Sequence, residues 1–135
     1  MLAVLLGAVS ARAQDERGYR GRWNEWTYEP MALSSGVWRV TIPAVEAEDN
    51  DFKIGEPGES WAYQWTHGAA VPLATVVSAF TGGRNSEMAA TPGRYYTFAM
   101  DDVAAGEAGQ MIVQETEAEP VEIASVDPAM AESNT

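Results

Sequence analysis

From Arg17 to about Gln114, apolar and polar side chains alternate in short runs, and each run is closed by glycine, proline, asparagine or aspartate. Gly36-Val37-Trp38-Arg39-Val40-Thr41-Ile42 places Trp38, Val40 and Ile42 on one face and Val37, Arg39 and Thr41 on the other, and Pro43 closes the run. Tyr19, Gly21 and Trp23 share one face of a period-two segment that Asn24-Glu25 ends. In Asp51-Phe52-Lys53-Ile54, Phe52 and Ile54 point inward and Lys53 outward, and Gly55, Pro57 and Gly58 form the next turn. Tyr95 to Met100 reads as a strand with Tyr96, Phe98 and Met100 inward. Asp101-Asp102 turns the chain, and Gln110 to Gln114 returns as the hairpin partner. Val71 to Phe80 is largely apolar and fits strand or helix. Its β-branched Thr75-Val76-Val77 favour strand, and Gly82-Gly83 breaks it. Many short strands about ten residues apart, with Gly/Pro turns between them, predict an all-β, antiparallel sandwich of immunoglobulin-like type.

The two ends of the chain read differently. Leu2 to Val9 is apolar and runs into Ala11-Arg12-Ala13 before the charged Gln14-Asp15-Glu16-Arg17, which is the shape of a secretory signal over residues 1–13. It lacks a basic start and is shorter than the usual ~15–30 residues, so a buried N-terminal strand is the alternative. It is too short to span a membrane. The sandwich then occupies residues 14–118, and a secreted or periplasmic location is expected. Residues 119–135 scatter acidic side chains among small ones, as a solvated linker does. Pro120 to Val126 alternates, however, and could open the first strand of a downstream domain in the same chain.

Composition narrows the chemistry. With 20 acidic and 8 basic side chains the net charge is -12, which argues against nucleic acid and against an anionic membrane surface as partners. There is no cysteine and one histidine, His67, so thiolate catalysis, cysteine zinc sites and histidine-pair metal sites are not expected. Asp49, Asp51, Asp101 and Asp102 offer oxygen ligands of the kind Ca²⁺ prefers, but without EF-hand spacing. No carboxylate pair is marked out for glycoside cleavage. No cofactor, metal site or catalytic residue is expected, and the chain reads as a non-enzyme.

Five tryptophans exceed what one small core needs. Trp23 falls on a core face. Trp26 follows a turn and should project from the end or edge of the sandwich. Trp61, Tyr63 and Trp65 share parity, so they line one face if extended and form an aromatic patch if looped. One of Trp61 and Trp65 plugs the sandwich and the other is exposed, and the pattern does not choose between them. An exposed indole suits the apolar face of a sugar ring, whose hydroxyls then need polar partners. Lys53, which is the only lysine, Gln64 and Asn85 are the candidates.

In order along the chain stand Gly21-x-Trp23-Asn24-x-Trp26, Pro30-Met31, Gly36 to Pro43, Asp51-Phe52-Lys53-Ile54, Trp61 to Gly68, Gly82-Gly83-Arg84-Asn85 and Pro92-Gly93-Arg94-Tyr95-Tyr96-Thr97-Phe98. This series resembles the starch- and glycogen-binding modules of the immunoglobulin-like early-set type, found beside amylase and pullulanase catalytic domains and in the AMP-activated kinase beta subunit. The resemblance covers about residues 18–114. It implies a non-catalytic module for a polysaccharide or oligosaccharide, specifically an α-glucan such as starch or glycogen. Trp26 and one of Trp61 or Trp65 would stack on the sugar, and Lys53 and Asn85 would bond its hydroxyls. Trp23 stands where the family usually has Phe, and the segment between Gly68 and Gly82 is longer than in the kinase module. A structural immunoglobulin-like spacer without sugar binding is the alternative, because fold does not determine function.

Overall fold

The computed structural model describes residues 16–44, 49–57 and 63–116. The signal-like segment 1–13, Trp61 and the acidic end 119–135 lie outside the described residues. The described chain forms ten strands, one three-residue 3-10 turn (Arg22–Asn24) and no α-helix. The strands are β1 (Gly18–Gly21), β2 (Glu29–Pro30), β3 (Ala32–Ser34), β4 (Val37–Pro43), β5 (Asn50–Gly55), β6 (Gln64–Thr66), β7 (Val77–Thr81), β8 (Ser86–Met88), β9 (Tyr95–Asp101) and β10 (Gly109–Thr116).

All strand pairings are antiparallel. They run in the order β2-β1-β5-β6-β7-β10-β9-β4-β3, with β8 on β5. The order divides into two layers joined by β7. Val77, Ser78 and Ala79 pair with β10, whereas Phe80 and Thr81 pair with β6, so β7 passes from one sheet to the other between Ala79 and Phe80. Strands that change sheets in this way make the corners of β-sandwiches. The first sheet is β2-β1-β5-β6, with β8 continuing the line of β6 along the same flank of β5. The second is β10-β9-β4-β3.

The layers meet through aromatic rings. Tyr19 of β1 and Phe52 of β5 face Phe98 of β9 at centroid distances of 4.8 and 4.9 Å, and Trp23 packs 5.1 Å from Tyr96. Each such pair contributes about 0.5–1.5 kcal/mol beyond the area it buries. Ile54, Met100, Met111 and Val113 complete the centre. The alternation expected for β4, β5, β9 and β10 is therefore present, with the β9–β10 hairpin in the register Met111 opposite Met100. Gly36 and Gly21 are among the glycines that geometry requires. Gly36 (φ +78°) follows Ser35 (φ +52°) in a two-residue turn between β3 and β4, where both central residues are left-handed, as a type I′ hairpin demands. Gly21 lies against the Tyr19 phenol and the Asp51 carbonyl, so a Cβ there would collide with both.

Several elements differ from the sequence reading. The period-two segment read from Tyr19 through Trp23 is strand only to Gly21, with Arg22–Asn24 a 3-10 turn, and the short β2 and β3 were not expected. The apolar run Val71 to Phe80 is strand only from Val77. Before that the chain loops, with Ala74 in the left-handed region (φ +57°) and its N–H donating to the Val113 carbonyl, while Val71 plugs the core. β8 was not expected at all. Three residues with one charged side chain carry too little pattern, and the strand exists because the Ser86–Met88 backbone pairs with β5.

A buried cation also departs from expectation. Arg17, read from sequence as part of a charged boundary, is 1% exposed. Its guanidinium lies 4.5 Å from the Trp65 ring centroid and 5.2 Å from that of Trp38, donates to the carbonyls of Asp101 and Val103, and approaches Asp102 at 3.8 Å. Trp38 donates its indole N–H to the same Asp102 carboxylate at 3.1 Å. A guanidinium is delocalised and weakly hydrated, so flat aromatic faces plus carbonyl acceptors can replace its water.

Candidate functional site

Trp26 is held by the turn that follows β1. Asn24 accepts from the Gly21 N–H at 3.1 Å and donates to the Thr27 carbonyl at 2.8 Å, while the Thr27 hydroxyl donates back to the Asn24 carbonyl at 2.8 Å. Asparagine does this well because its short amide reaches its own backbone neighbours. The Trp26 N–H donates to the Gly21 carbonyl at 2.8 Å. Glu25 (φ +56°) and Trp26 (φ +62°) are both left-handed, a conformation that is uncommon for a bulky residue and that collects at functional positions. The indole remains 36% exposed. The turn thus turns an indole outward at the rim of the first sheet, as the sequence suggested for Trp26.

Lys53 lies in the middle of β5 on the outer face of that sheet, directly opposite Arg20 of β1. Its ammonium donates to the Gln64 side-chain oxygen at 2.7 Å. Gly55 pairs with Gln64, so Lys53 leans diagonally across the β5–β6 ladder to reach it. Two of the predicted polar residues are therefore in contact. Arg20 in turn lies 5.2 Å from the Tyr28 ring centroid, and burial pushes the Tyr28 phenol above its ordinary pKa, with Glu16 adding to the rise and Arg20 opposing it.

Asn85 sits in the turn between β7 and β8. With Asp51, Gly83, Arg84 and Glu87 it lines a hollow of about 370 Å³. Asp51 is on the same strand and face as Lys53, opposite Glu87, and its carboxylate is bound to Arg22 at 2.8 Å. A second hollow of about 220 Å³ is lined by Tyr63, Gln64, Thr81, Gly82 and Gly106. Tyr63, one of its lining residues, is 37% exposed. Arg20, Arg22, Lys53 and Arg84 thus gather around one sheet of a chain whose net charge is -12.

Trp65 is a correction. It is 1% exposed, donates its indole N–H to the Glu107 carbonyl at 2.7 Å, and forms one wall of the Arg17 cage. A ring packed on that side has no face for a sugar. Parity misled here because β6 begins only at Gln64, so Tyr63 precedes the ladder and does not share the inward direction of Trp65. Trp61 lies outside the described residues.

Sequence reasoning passed over Phe80 and His67. Phe80 is 51% exposed, and the His67 ring lies parallel to it within 11° at a centroid distance of 6.1 Å. The apolar run containing Phe80 gave no direction to its ring. That direction follows from the sheet change after Ala79. Among the described residues, no group of three or more His, Cys, Asp or Glu is placed to hold a metal ion, and no helix is long and apolar enough to cross a membrane.

The sequence matches no protein-family model and no curated protein. Among solved structures, the one described as "Ligand induced structure of AmyP-SBD", a starch-binding domain, superposes with a TM-score of 0.54 at 11% identity, over 73% of this chain and 70% of that chain. A likeness at that identity is one of architecture, so this chain shares its all-β sandwich with a domain that binds starch.

Proposed function

We propose that this chain is a non-catalytic carbohydrate-binding module, directed at an α-glucan such as starch or glycogen and carried by a secreted or periplasmic protein. One observation carries the reading. An exposed indole, Trp26, is held in a costly left-handed turn at the rim of the sheet whose outer face holds the Lys53–Gln64 pair and the Asn85 hollow. A sugar ring would stack its apolar face on Trp26, while Lys53, Gln64, Asn85 and Tyr63 would meet its hydroxyls. The fold likeness to a starch-binding domain supports this, as does the gathering of basic side chains on that sheet.

Affinity electrophoresis of the full chain through amylopectin or glycogen gels tests the reading. Wild type is expected to be retarded, and Trp26→Ala to run as in a gel without glucan at an unchanged urea midpoint. Absence of retardation by any soluble glucan would leave the second reading, a structural immunoglobulin-like spacer. Among the described residues Trp26 is the one exposed indole, and a single platform is the observation that favours that alternative.

A further inference from the structure

Exposed large apolar side chains are unevenly distributed. Among the described residues they are Trp26, Tyr63 and Phe80, and all three belong to the first sheet or its rim. Trp26 and Tyr63 are already in the candidate site. Phe80 is the residue at which β7 joins that sheet, and the register aligns it with the others. Arg20 is opposite Lys53. The Ile54–Trp65 pair sets Lys53 opposite Thr66, and Thr66 is opposite Phe80. Arg20, Lys53, Thr66 and Phe80 therefore form one row across four neighbouring strands; Arg20 and Thr66 are buried in it, with the Thr66 hydroxyl donating to the Gly82 carbonyl, so Lys53 and Phe80 are its accessible members. Phe80 lies two strand spacings from Lys53, about 10 Å, which is the scale of a disaccharide.

The Phe80 ring is braced. His67 stacks parallel to it, and His67 is fixed from two sides. Its backbone N–H donates to the Ser86 hydroxyl at 2.7 Å, and its ring Nδ1 lies 2.9 Å from the Ser78 carbonyl, to which it donates. Ser86 is buried and lies on β8, directly after Asn85, so this bond ties the stack to the strand that follows the Asn85 turn. A flat, half-exposed ring on the same sheet as the Lys53–Gln64 pair suits a pyranose, which has an apolar face and a polar edge. It does not suit a protein partner, whose docking core needs contiguous apolar area rather than one ring among polar groups.

We infer that the Phe80–His67 stack is an additional sugar-stacking subsite, extending the glucan-binding face from Lys53 across β6 to β7. The inference rests on the carbohydrate-binding reading and adds to it a preference for longer chains. A short oligosaccharide fills the ground around Trp26 and Lys53, and a longer one gains the Phe80 platform.

Titration calorimetry of the full chain with maltotriose and maltoheptaose tests it. Wild type should bind maltoheptaose more tightly. Phe80→Ala should weaken maltoheptaose about 3- to 10-fold and leave maltotriose unchanged, the size of effect one stacking contact provides. Phe80→Trp should keep the preference for length, which a merely structural role for Phe80 does not require. Trp26→Ala should weaken both sugars. If Phe80→Ala binds maltoheptaose as wild type does, or loses affinity for both sugars equally, the subsite is overturned while the module reading stands. If wild type binds neither sugar, both fall.

Discussion

Replacing Arg17 by methionine is the sharpest probe of how this sandwich is held together. Methionine keeps most of the side-chain volume, so the change removes the guanidinium without opening a large void. The cost is then electrostatic and can be worked from the contacts. The carbonyls of Asp101 and Val103 lose a charged donor, and a buried acceptor left unmet costs about 1–3 kcal/mol. Stacking on Trp38 and Trp65 contributes about 1–2 kcal/mol per desolvated ring. Against these losses stands the recovered cost of burying a charge, which is several kcal/mol. Truncating one member of a buried charged constellation typically nets about 3–5 kcal/mol, and we expect Arg17→Met near the lower end, about 3 kcal/mol. For a domain of this size that lowers the Tm by about 12–24 °C. Equilibrium unfolding in urea, followed by tryptophan fluorescence, reads the change directly, and an unchanged slope would show that only stability has moved. Arg17→Lys should fall between the two proteins, because an ammonium is a point charge without a planar face. A midpoint for Arg17→Met within about 0.5 kcal/mol of wild type would refute the reasoning, since that is the range of an ordinary surface substitution.

Three further outcomes are expected. Asn24→Ala removes the amide that closes the Trp26 turn and should cost about 1 kcal/mol, while weakening retention in glycogen gels. Retention equal to wild type would show that Trp26 is positioned without it. Trp65→Ala should destabilise by about 3–5 kcal/mol, as aromatic truncations in cores do, and a urea midpoint close to wild type would contradict its place in the core. Stability should fall at alkaline pH. Burial holds the Tyr19 phenol above its ordinary value of 10.0, with its hydrogen bond to Asn50 pulling the other way, and burial also raises Tyr96. A raised folded pKa contributes fully below the unfolded value. Above pH 10.0 the unfolded chain releases a proton that the folded chain keeps, so the urea midpoint should decline there. Tyr19→Phe should be less stable at neutral pH, with Asn50 left unmet, and should decline less steeply; an identical decline would exclude Tyr19 as its source.

Much of the scaffold was legible because strand alternation is a local code. Phe52 and Ile54 inward with Lys53 outward, Tyr96-Phe98-Met100 inward, and the return through Met111 are all imposed by the period of two and the need to bury one face. The projection of Trp26 was legible for a similar reason, since Asn24 marks a turn and the indole comes just after it. Trp65 and Tyr63 show where parity stops working. Their exposure depends on where β6 begins, and a three-residue strand has no pattern long enough to announce its own ends.

What the sequence determined by itself, then, was an antiparallel β architecture and the side of β5 on which Lys53 lies, because each follows from neighbours within a few residues. Only the tertiary structure decided that Trp65 belongs to the core, that Arg17 sits between two indoles, and that Phe80 joins the row containing Lys53. Each of these depends on contacts between residues far apart in the chain. Arg17 meets residues more than 80 positions away, and Phe80 owes its direction to the point at which β7 leaves one sheet for the other. Pattern along a chain specifies which face a residue occupies within its own strand. Which strand lies next to it, and what covers that face, is settled by the packing of the whole.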